Sequence, residues 1–413
     1  MESRDAYPLV VLGAGPAGAT AALFLAKSGI PSVLIEKGTF PRDKVCGDAC
    51  SGKVAWVLRK LSIDAAEAVF AHPTSLPSWG VKFFGSENNE LKVPFKLDYN
   101  SNSDTAPGFI SKRLDFDNQL IEWVRKEPLI TLVEDLAITY SRRQGAIICL
   151  GNEKLDVHYQ ADLVLAADGA YSKIAKDIMR LSIPDHKNSL GLRAYFHGVE
   201  GLDEEGFIEL HFLKDLLPGY FWIFPLPNGQ ANVGLGIRAD IRKKKRLNLK
   251  ALFTDLIENH PVIAPRFKHA RLNGDIQLHG LPLGGHSQIS ADNLILLGDA
   301  AALIDPFTGE GIGNAMISGM LAAEVIAENY PNSDFTGQKL STYDNLVYRR
   351  LGSELKLSQT MQNLTAYPWL FNLVVNKARR NKELRDTISC MFESVDMRAK
   401  LRNPLFYLRI LFG

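Results

Sequence analysis

Residues 9–18 read Leu-Val-Val-Leu-Gly-Ala-Gly-Pro-Ala-Gly, and no other stretch of the chain narrows its fold as far. Four consecutive apolar residues make a buried strand. The glycines then fall in the spacing Gly13-x-Gly15-x-x-Gly18, and a helix carrying Leu23, Leu25 and Ala26 begins near Ala17. The physical reading is a strand–turn–helix unit for a dinucleotide. Gly13 permits the tight turn, Gly15 lets backbone approach a pyrophosphate, and Gly18 lets helix and strand pack closely. The helix start at Pro16 and Ala17 directs the positive end of its dipole at the phosphates. A second apolar strand, residues 32–35, ends in Glu36 and Lys37. A carboxylate at that point accepts hydrogen bonds from ribose hydroxyls and repels a 2′-phosphate, which disfavours NADP. The fingerprint alone leaves NAD, FAD and an unliganded glycine turn open.

Composition sets wider limits. With 413 residues, 46% of them hydrophobic, the chain buries a large core and divides into two or three lobes. A formal net charge of +1 gives no electrostatic argument for nucleic acid. The cysteines, Cys46, Cys50, Cys149 and Cys390, show no CxxC pair and no histidine pattern suited to zinc, so no metal site is expected. Reduced thiols in a cytoplasmic protein are the expectation. The polar start, residues 1–5, does not read as a secretory signal, and no apolar run approaches the roughly 20 residues that span a bilayer.

No internal repeat or low-complexity tract interrupts the chain. The order of elements predicts an α/β protein with a Rossmann-like nucleotide lobe built from separated stretches, residues 1–75, 107–188 and 284–330. A β-rich second lobe, residues 76–106 and 189–283, is inserted into it as the candidate substrate domain, with a helix near residues 249–258. Residues 331–413 are predicted to be helical. Three further motifs fall on the nucleotide lobe: Arg113 ahead of Phe116-Asp117, Asp168-Gly169 at the end of an apolar strand, and Gly298-Asp299 at the end of another.

Together with the first fingerprint and Glu36, these motifs and the turn Asp305-Pro306-Phe307-Thr308-Gly309-Glu310-Gly311 resemble the FAD-dependent para-hydroxybenzoate hydroxylase fold over residues 7–330. The resemblance implies that Arg113 contacts FAD near its pyrophosphate, that Asp168-Gly169 closes the dinucleotide site, and that Asp299 binds the ribityl or pyrophosphate region. Amides at Gly311 and Ile312, where the next helix starts, would stabilise negative charge on the reduced flavin ring.

Two segments resemble a subgroup of that fold, the geranylgeranyl reductases: Phe40-Pro41-Arg42-Asp43-Lys44-Val45-Cys46-Gly47-Asp48, and Pro218-Gly219-Tyr220-Phe221-Trp222-Ile223-Phe224-Pro225. In that family the first lies close to the flavin and the second lines an isoprenoid cavity. Pro218 stands two residues before Tyr220, where the family pattern has three, so the mouth of the cavity is expected to differ. The second segment also resembles a halogenase strand, with Tyr220 and Phe224 replacing two of its members. Strand alternation puts Tyr220, Trp222 and Phe224 on one face and Phe221 and Ile223 on the other, so both faces must be covered. One then packs on protein and the other lines a cavity, or both belong to the core.

The resemblance implies hydride transfer from reduced flavin to a carbon–carbon double bond of a prenyl-type or similarly apolar substrate. An isolated alkene also needs a proton, for which Cys46, Tyr220 or a bound water are the candidates. Cys46 also reads as a buried thiol supporting its loop, and Trp222 completes the candidate catalytic set. Two alternatives share every cofactor motif: a monooxygenase, or less readily a halogenase, acting on an aromatic or polyene metabolite, and a flavoprotein that binds or senses without turnover. Without a second glycine fingerprint, NAD(P)H must visit a groove beside the flavin, unless ferredoxin or another reductant supplies the electrons.

Membrane signals are indirect. The run Arg242-Lys243-Lys244-Lys245-Arg246 reads as a solvated loop, or as an attractor for an acidic donor or anionic bilayer. Near the C-terminus Leu401, Leu405, Leu408 and Phe412 fall at helical spacing among Arg398, Lys400, Arg402 and Arg409, with Pro404 interrupting. That helix either covers the substrate lobe or makes a peripheral membrane contact.

Overall fold

The computed structural model describes residues 6–85, 87, 89–142, 148–152, 157–382 and 384–386. The C-terminal amphipathic segment therefore lies outside the described residues, as does Cys390.

The glycine turn joins β1 (Ala6–Leu12) to α1 (Pro16–Lys27), and β2 (Ser32–Ile35) follows. Pro16 opens α1 at a position where its missing amide hydrogen costs nothing. After β3 (Ala49–Cys50) come α2 (Gly52–Leu61) and α3 (Ile63–Phe70), capped by the Ser51 and Ser62 hydroxyls. The excursion predicted near Trp79 holds β4 (Leu76–Ser78), β5 (Gly80–Phe84) and β6 (Glu90–Pro94), and the chain returns through β7 (Gly108–Ile110) and α4 (Arg113–Lys126). The strands β8 (Ile130–Val133), β9 (Thr139–Arg142), β10 (Ile148–Asn152) and β11 (Val157–Ala166) precede a long β region. That region comprises β12 (Asn188–His197), β13 (Ile208–His211), β14 (Tyr220–Leu226), β15 (Gln230–Arg238), α5 (Ala239–Lys245), α6 (Leu249–Asn259) and β16 (Arg271–Pro282). Finally β17 (Ser290–Ala291) and β18 (Leu294–Leu296) lead to α7 (Ile312–Asn329), α8 (Gly337–Thr365) and α9 (Pro368–Arg380).

The first sheet runs β17-β18-β11-β1-β2-β8, with β10 and β9 added beyond β11. Its centre is parallel: Leu12 stands opposite both Ala166 and Ile35. A parallel sheet is covered on both faces, which explains why residues 9–12 and 33–35 are apolar without alternation and buried throughout. The second sheet, β16-β12-β15-β14-β13-β5-β6, draws strands from residues 80–94 and 188–282, and a small sheet β3-β7-β4, hydrogen-bonded to neither, packs Phe109 into one core and Ile110 into the other.

Sheet order brings the distant motifs together. Since β18 pairs with β11 and β11 with β1, the ends of all three strands open on the start of α1. There a Cβ on Gly298 would stand 3.2 Å from that of Ala17, and one on Gly319 of α7 would stand 2.4 Å from the Ala17 carbonyl oxygen. The crossing of α1 and α7 thus needs glycine at residue 319 and locks the downstream turn onto the amino-terminal one.

One expectation is corrected. The basic run at 242–246 is not a loop: its residues through Lys245 form the end of α5, where cations complement the helix dipole and Lys243 pairs with Asp185 at 2.6 Å. Among the described residues no helix is long and apolar enough to cross a membrane.

Candidate functional site

The three fingerprint glycines are required for different reasons. Gly13 has φ +93°, and a Cβ on it would lie 2.3 Å from the Ala167 carbonyl oxygen; a Cβ on Gly18 would lie 1.9 Å from the Gly13 carbonyl oxygen. Both are forced by protein packing. Gly15 differs, since its nearest neighbour would be Arg113 Nη2 at 4.0 Å, so its backbone faces open space bordered by a guanidinium. No side chain caps α1, leaving the amides of its first turn available to an anion.

Alternating charges line this groove. Glu36, 4% exposed, accepts from the Ala14 amide and from Arg42, each at 2.9 Å, so the strand-end carboxylate also braces the glycine turn. Arg42 reaches on to Asp117 at 3.6 Å, and Asp117 holds Arg113 through two bonds, Nε to Oδ1 at 2.5 Å and Nη2 to Oδ2 at 2.6 Å. Burial opposes the charge on Arg113, but the facing Asp117 carboxylate prevails and keeps it firmly cationic. Lys37 is exposed next to Glu36.

Asp168 lies just past β11. Its Oδ1 is buried without a hydrogen-bond partner, burial raises its pKa, and a Cβ on Gly169, at φ +82°, would meet nothing within 4 Å. An orphaned acceptor next to open backbone, an uncapped helix start and a buried arginine fit the ribose and pyrophosphate of FAD. Downstream, Gly298 N–H donates to Ser318 Oγ at 2.9 Å, and a Cβ on Gly311 would stand 3.5 Å from Asp299 Oδ1. Asp299 therefore faces the uncapped start of α7 at Gly311 and Ile312. Lys44 lies in the field of Asp299, Arg113 and Cys46, and its pKa is lowered, chiefly by burial. It approaches His279 at 2.7 Å, whose own pKa is pushed down to about 4 by burial and by Lys44, leaving a neutral imidazole to accept.

Cys46 lies between Arg113 and the second sheet, where its carbonyl accepts from Asn232 of β15 at 2.7 Å. Burial raises its pKa against the opposing pull of Arg113 and the Asp48 amide, so the group is a thiol at neutral pH. A Cβ on the next residue, Gly47, would come within 2.9 Å of the Phe224 ring, bringing this turn against the aromatic strand β14. That strand divides as alternation predicts. Phe221 and Ile223 pack in a core with Phe253 of α6, while Trp222 and Phe224, with Tyr220 beside them, belong to a second cluster that includes Phe212 and Phe307. Tyr220 donates its hydroxyl hydrogen to the Thr308 carbonyl at 2.6 Å, and Trp222 donates Nε1–H to Asn232 Oδ1 at 2.9 Å. A narrow cleft of about 50 Å³ opens among Tyr220, Trp222, Leu281, Asp305 and Phe307, with Gln362 and Thr365 of α8 at its edge. A larger open groove of about 520 Å³, bordered by Glu90, Lys92, Tyr99 and Arg379, shares none of these residues and carries both signs of charge.

Sequence reasoning missed the clasp around the turn at residues 305–311. Lys53 of α2 binds Asn314 at 2.8 Å, Glu354 of α8 at 2.6 Å and Glu310 at 3.3 Å, and Ser51 donates to Glu310. It missed Asp48 and Asn232 as well, although Asp48 stands in a quoted segment.

A family model described as FAD binding domain matches residues 6–192, and one described as geranylgeranyl reductase catalytic domain matches residues 190–272. The digeranylgeranylglycerophospholipid reductase of Thermoplasma acidophilum is 30% identical over 352 residues, 84% of each chain. The menaquinone reductase of Mycobacterium tuberculosis is 30% identical over 79% of this chain and 78% of its own. The crystal structure of a geranylgeranyl bacteriochlorophyll reductase-like protein from Thermoplasma acidophilum superposes with a TM-score of 0.77 at 23% identity, covering 99% of this chain and 96% of that one. With cofactor cradle, aromatic strand and sequence all in agreement, the chain belongs to the geranylgeranyl reductase family of FAD-dependent oxidoreductases.

Proposed function

We propose that this protein reduces carbon–carbon double bonds in a prenyl-type or similarly apolar lipid-like substrate. The observation that carries the reading is the meeting of one aromatic face, Tyr220, Trp222 and Phe224, with both the Cys46-Gly47 turn and the turn at Thr308-Gly309. Relatives named for prenylated lipids and for menaquinone support an apolar, isoprenoid-bearing substrate.

Bound FAD supplies a hydride once reduced, with NAD(P)H or another reductant as the source of electrons. The rest falls to the chain's own groups. Gly15, the start of α1, Arg113, Glu36, Asp168, Gly169 and Asp299 hold the dinucleotide, with Lys37 at the outer edge. Gly311 and Ile312 direct amides at the ring end. The aromatic face excludes water from the alkene and orients it. The alkene carbon opposite the hydride needs a proton, and Cys46 is assigned it ahead of Tyr220, because its half-buried thiol stays protonated while the single hydroxyl hydrogen of Tyr220 is engaged by Thr308. The oxygenating alternatives rest on the shared cofactor motifs and on the partial likeness of residues 218–225 to a halogenase strand. Cytoplasmic residence with a peripheral membrane contact through residues 401–413 belongs to the same proposal, supported by the leucine and arginine spacing there.

The test is anaerobic turnover of the FAD-loaded protein, reduced with dithionite, with geranylgeraniol and a menaquinone as probes. Products that have gained two hydrogens per reduced bond are expected. A requirement for dioxygen with an oxygenated product overturns the reading.

A further inference from the structure

Beneath the Cys46-Gly47 turn lies a polar cluster with no part in the account so far. Asp48 is fully buried and holds a left-handed backbone at φ +68°. Its Oδ2 accepts from Tyr195 Oη at 2.7 Å and from Asn232 Nδ2 at 2.8 Å, and its Oδ1 from the Arg113 amide at 3.3 Å. Asn232 is also fully buried. Its Nδ2 donates a second time, to the Cys46 carbonyl at 2.7 Å, and its Oδ1 accepts the Trp222 indole hydrogen at 2.9 Å.

The amide of Asn232 therefore has one workable orientation. Turning it over would set its hydrogens against the indole N–H and its oxygen against two acceptors. What holds that orientation from behind is the Asp48 carboxylate, at the end of a line leading from the surface through Asp43, Arg193 and Tyr195. Arg193 binds Asp43 at 2.6 Å and lies 4.1 Å over the Tyr195 ring, with Lys112 at 4.8 Å from the same ring.

We propose that Asp48 is a positioning residue for the reduction, whose carboxylate sets the Asn232 amide and, through it, the Trp222 indole and the Cys46 turn on the substrate side. The inference rests on the reductase reading for its catalytic consequence, but its structural part does not. An ionised Asp48 accepts strongly from both Tyr195 and Asn232 at Oδ2; a protonated one carries its hydrogen on Oδ1, facing the Arg113 amide, and its neutral Oδ2 accepts more weakly from both donors, so the Asn232 amide and the indole relax. Burial pushes the Asp48 carboxyl up to about 6, opposed by the bonds from Tyr195 and Asn232 and the charge of Arg193 and assisted by Asp43. Cys46, Cys50 and Arg113 also face it, and none of them changes charge near that pH.

The experiment follows the indole N–H resonances of FAD-loaded protein labelled with ¹⁵N at tryptophan, the Trp222 signal being identified by its loss in Trp222→Phe. In the wild type that signal is expected to move with a midpoint near 6, the value to which Asp48 is raised. In Asp48→Asn, checked for folding by circular dichroism and for FAD by absorbance titration, it stays still. Tyr195→Phe removes one donor to the ionised form and moves the midpoint upward, which decides the matter should Asp48→Asn not fold. In anaerobic turnover of geranylgeraniol, Asp48→Asn loses about tenfold or more in kcat, and the wild-type limb near pH 6 disappears. A Trp222 signal that ignores pH in the wild type, or titrates unchanged in Asp48→Asn, overturns the proposal. The resonance is read without turnover, so a wild type inert toward geranylgeraniol counts against the reductase reading, and an unmoved indole against Asp48.

Discussion

Tyr220→Phe separates a proton donor from a brace. The substitution removes one oxygen and leaves the ring, with its packing against Trp222 and Phe212, in place. What is lost is the bond of 2.6 Å to the Thr308 carbonyl, a contact that fixes the turn leading into α7. A neutral hydrogen bond of this kind contributes about 0.5–1.5 kcal/mol net. At about 1.4 kcal/mol per tenfold, the turn shifts its population, and the rate falls, by roughly twofold to tenfold. A proton donor removed from the transition state instead costs about a hundredfold to ten-thousandfold. Burial raises the pKa of this phenol, which makes it a still weaker acid. The assay is anaerobic single-turnover reoxidation of the reduced flavin by geranylgeraniol, read at 450 nm by stopped flow, with FAD affinity measured in parallel. A fall within tenfold supports the brace. A loss of a hundredfold or more with FAD affinity unchanged refutes it and assigns the proton to Tyr220.

Gly18→Ala should abolish FAD binding and cost several kcal/mol of stability, because the new methyl would stand 1.9 Å from the Gly13 carbonyl oxygen, and backbone cannot yield as a side-chain tip can; urea denaturation and flavin absorbance check both. Asp117→Ala should destabilise the apoprotein by about 3–5 kcal/mol, since it leaves the buried Arg113 guanidinium without its carboxylate. Saturating FAD, whose pyrophosphate can partner that arginine, should recover part of the loss, and equal destabilisation with and without FAD in urea titrations would contradict this.

The parts of the fold open to sequence reading were those decided by neighbours in the chain. Gly18 meets Gly13 a few residues away and Gly13 meets Ala167 just past the adjoining strand, while Gly15 faces open space, so spacing was enough to recognise the turn. The two faces of β14 followed from alternation alone, and Phe221 and Tyr220 do enter different clusters. The helical state of Arg242–Lys245 was hidden because a charge run carries no hydrophobic period to reveal it. The Asp48 cluster was illegible for a different reason: its bonds to Tyr195 and Asn232 cross 147 and 184 positions, and nothing local marks which buried acid will find which partner. Lys53 is the same case, joining Glu310 and Glu354 from three separate stretches. Residues 401–413 lie outside the described residues, so the amphipathic reading there stands on spacing alone.

The cleft at Tyr220 bears on selectivity in a way its lining does not reveal. A space of about 50 Å³ accommodates only a few water molecules, far less than a twenty-carbon chain. Gln362 closes it by donating to the Pro306 carbonyl at 2.6 Å, and Phe371 of α9 packs over Phe212. A guest larger than this space would have to displace the contacts that Gln362 of α8 and Phe371 of α9 make, at a cost set by those contacts. Each buried methylene returns about 0.8 kcal/mol against that cost. Longer apolar guests would offset more of that cost than short ones, a dependence that turnover of prenyl alcohols of graded length would read.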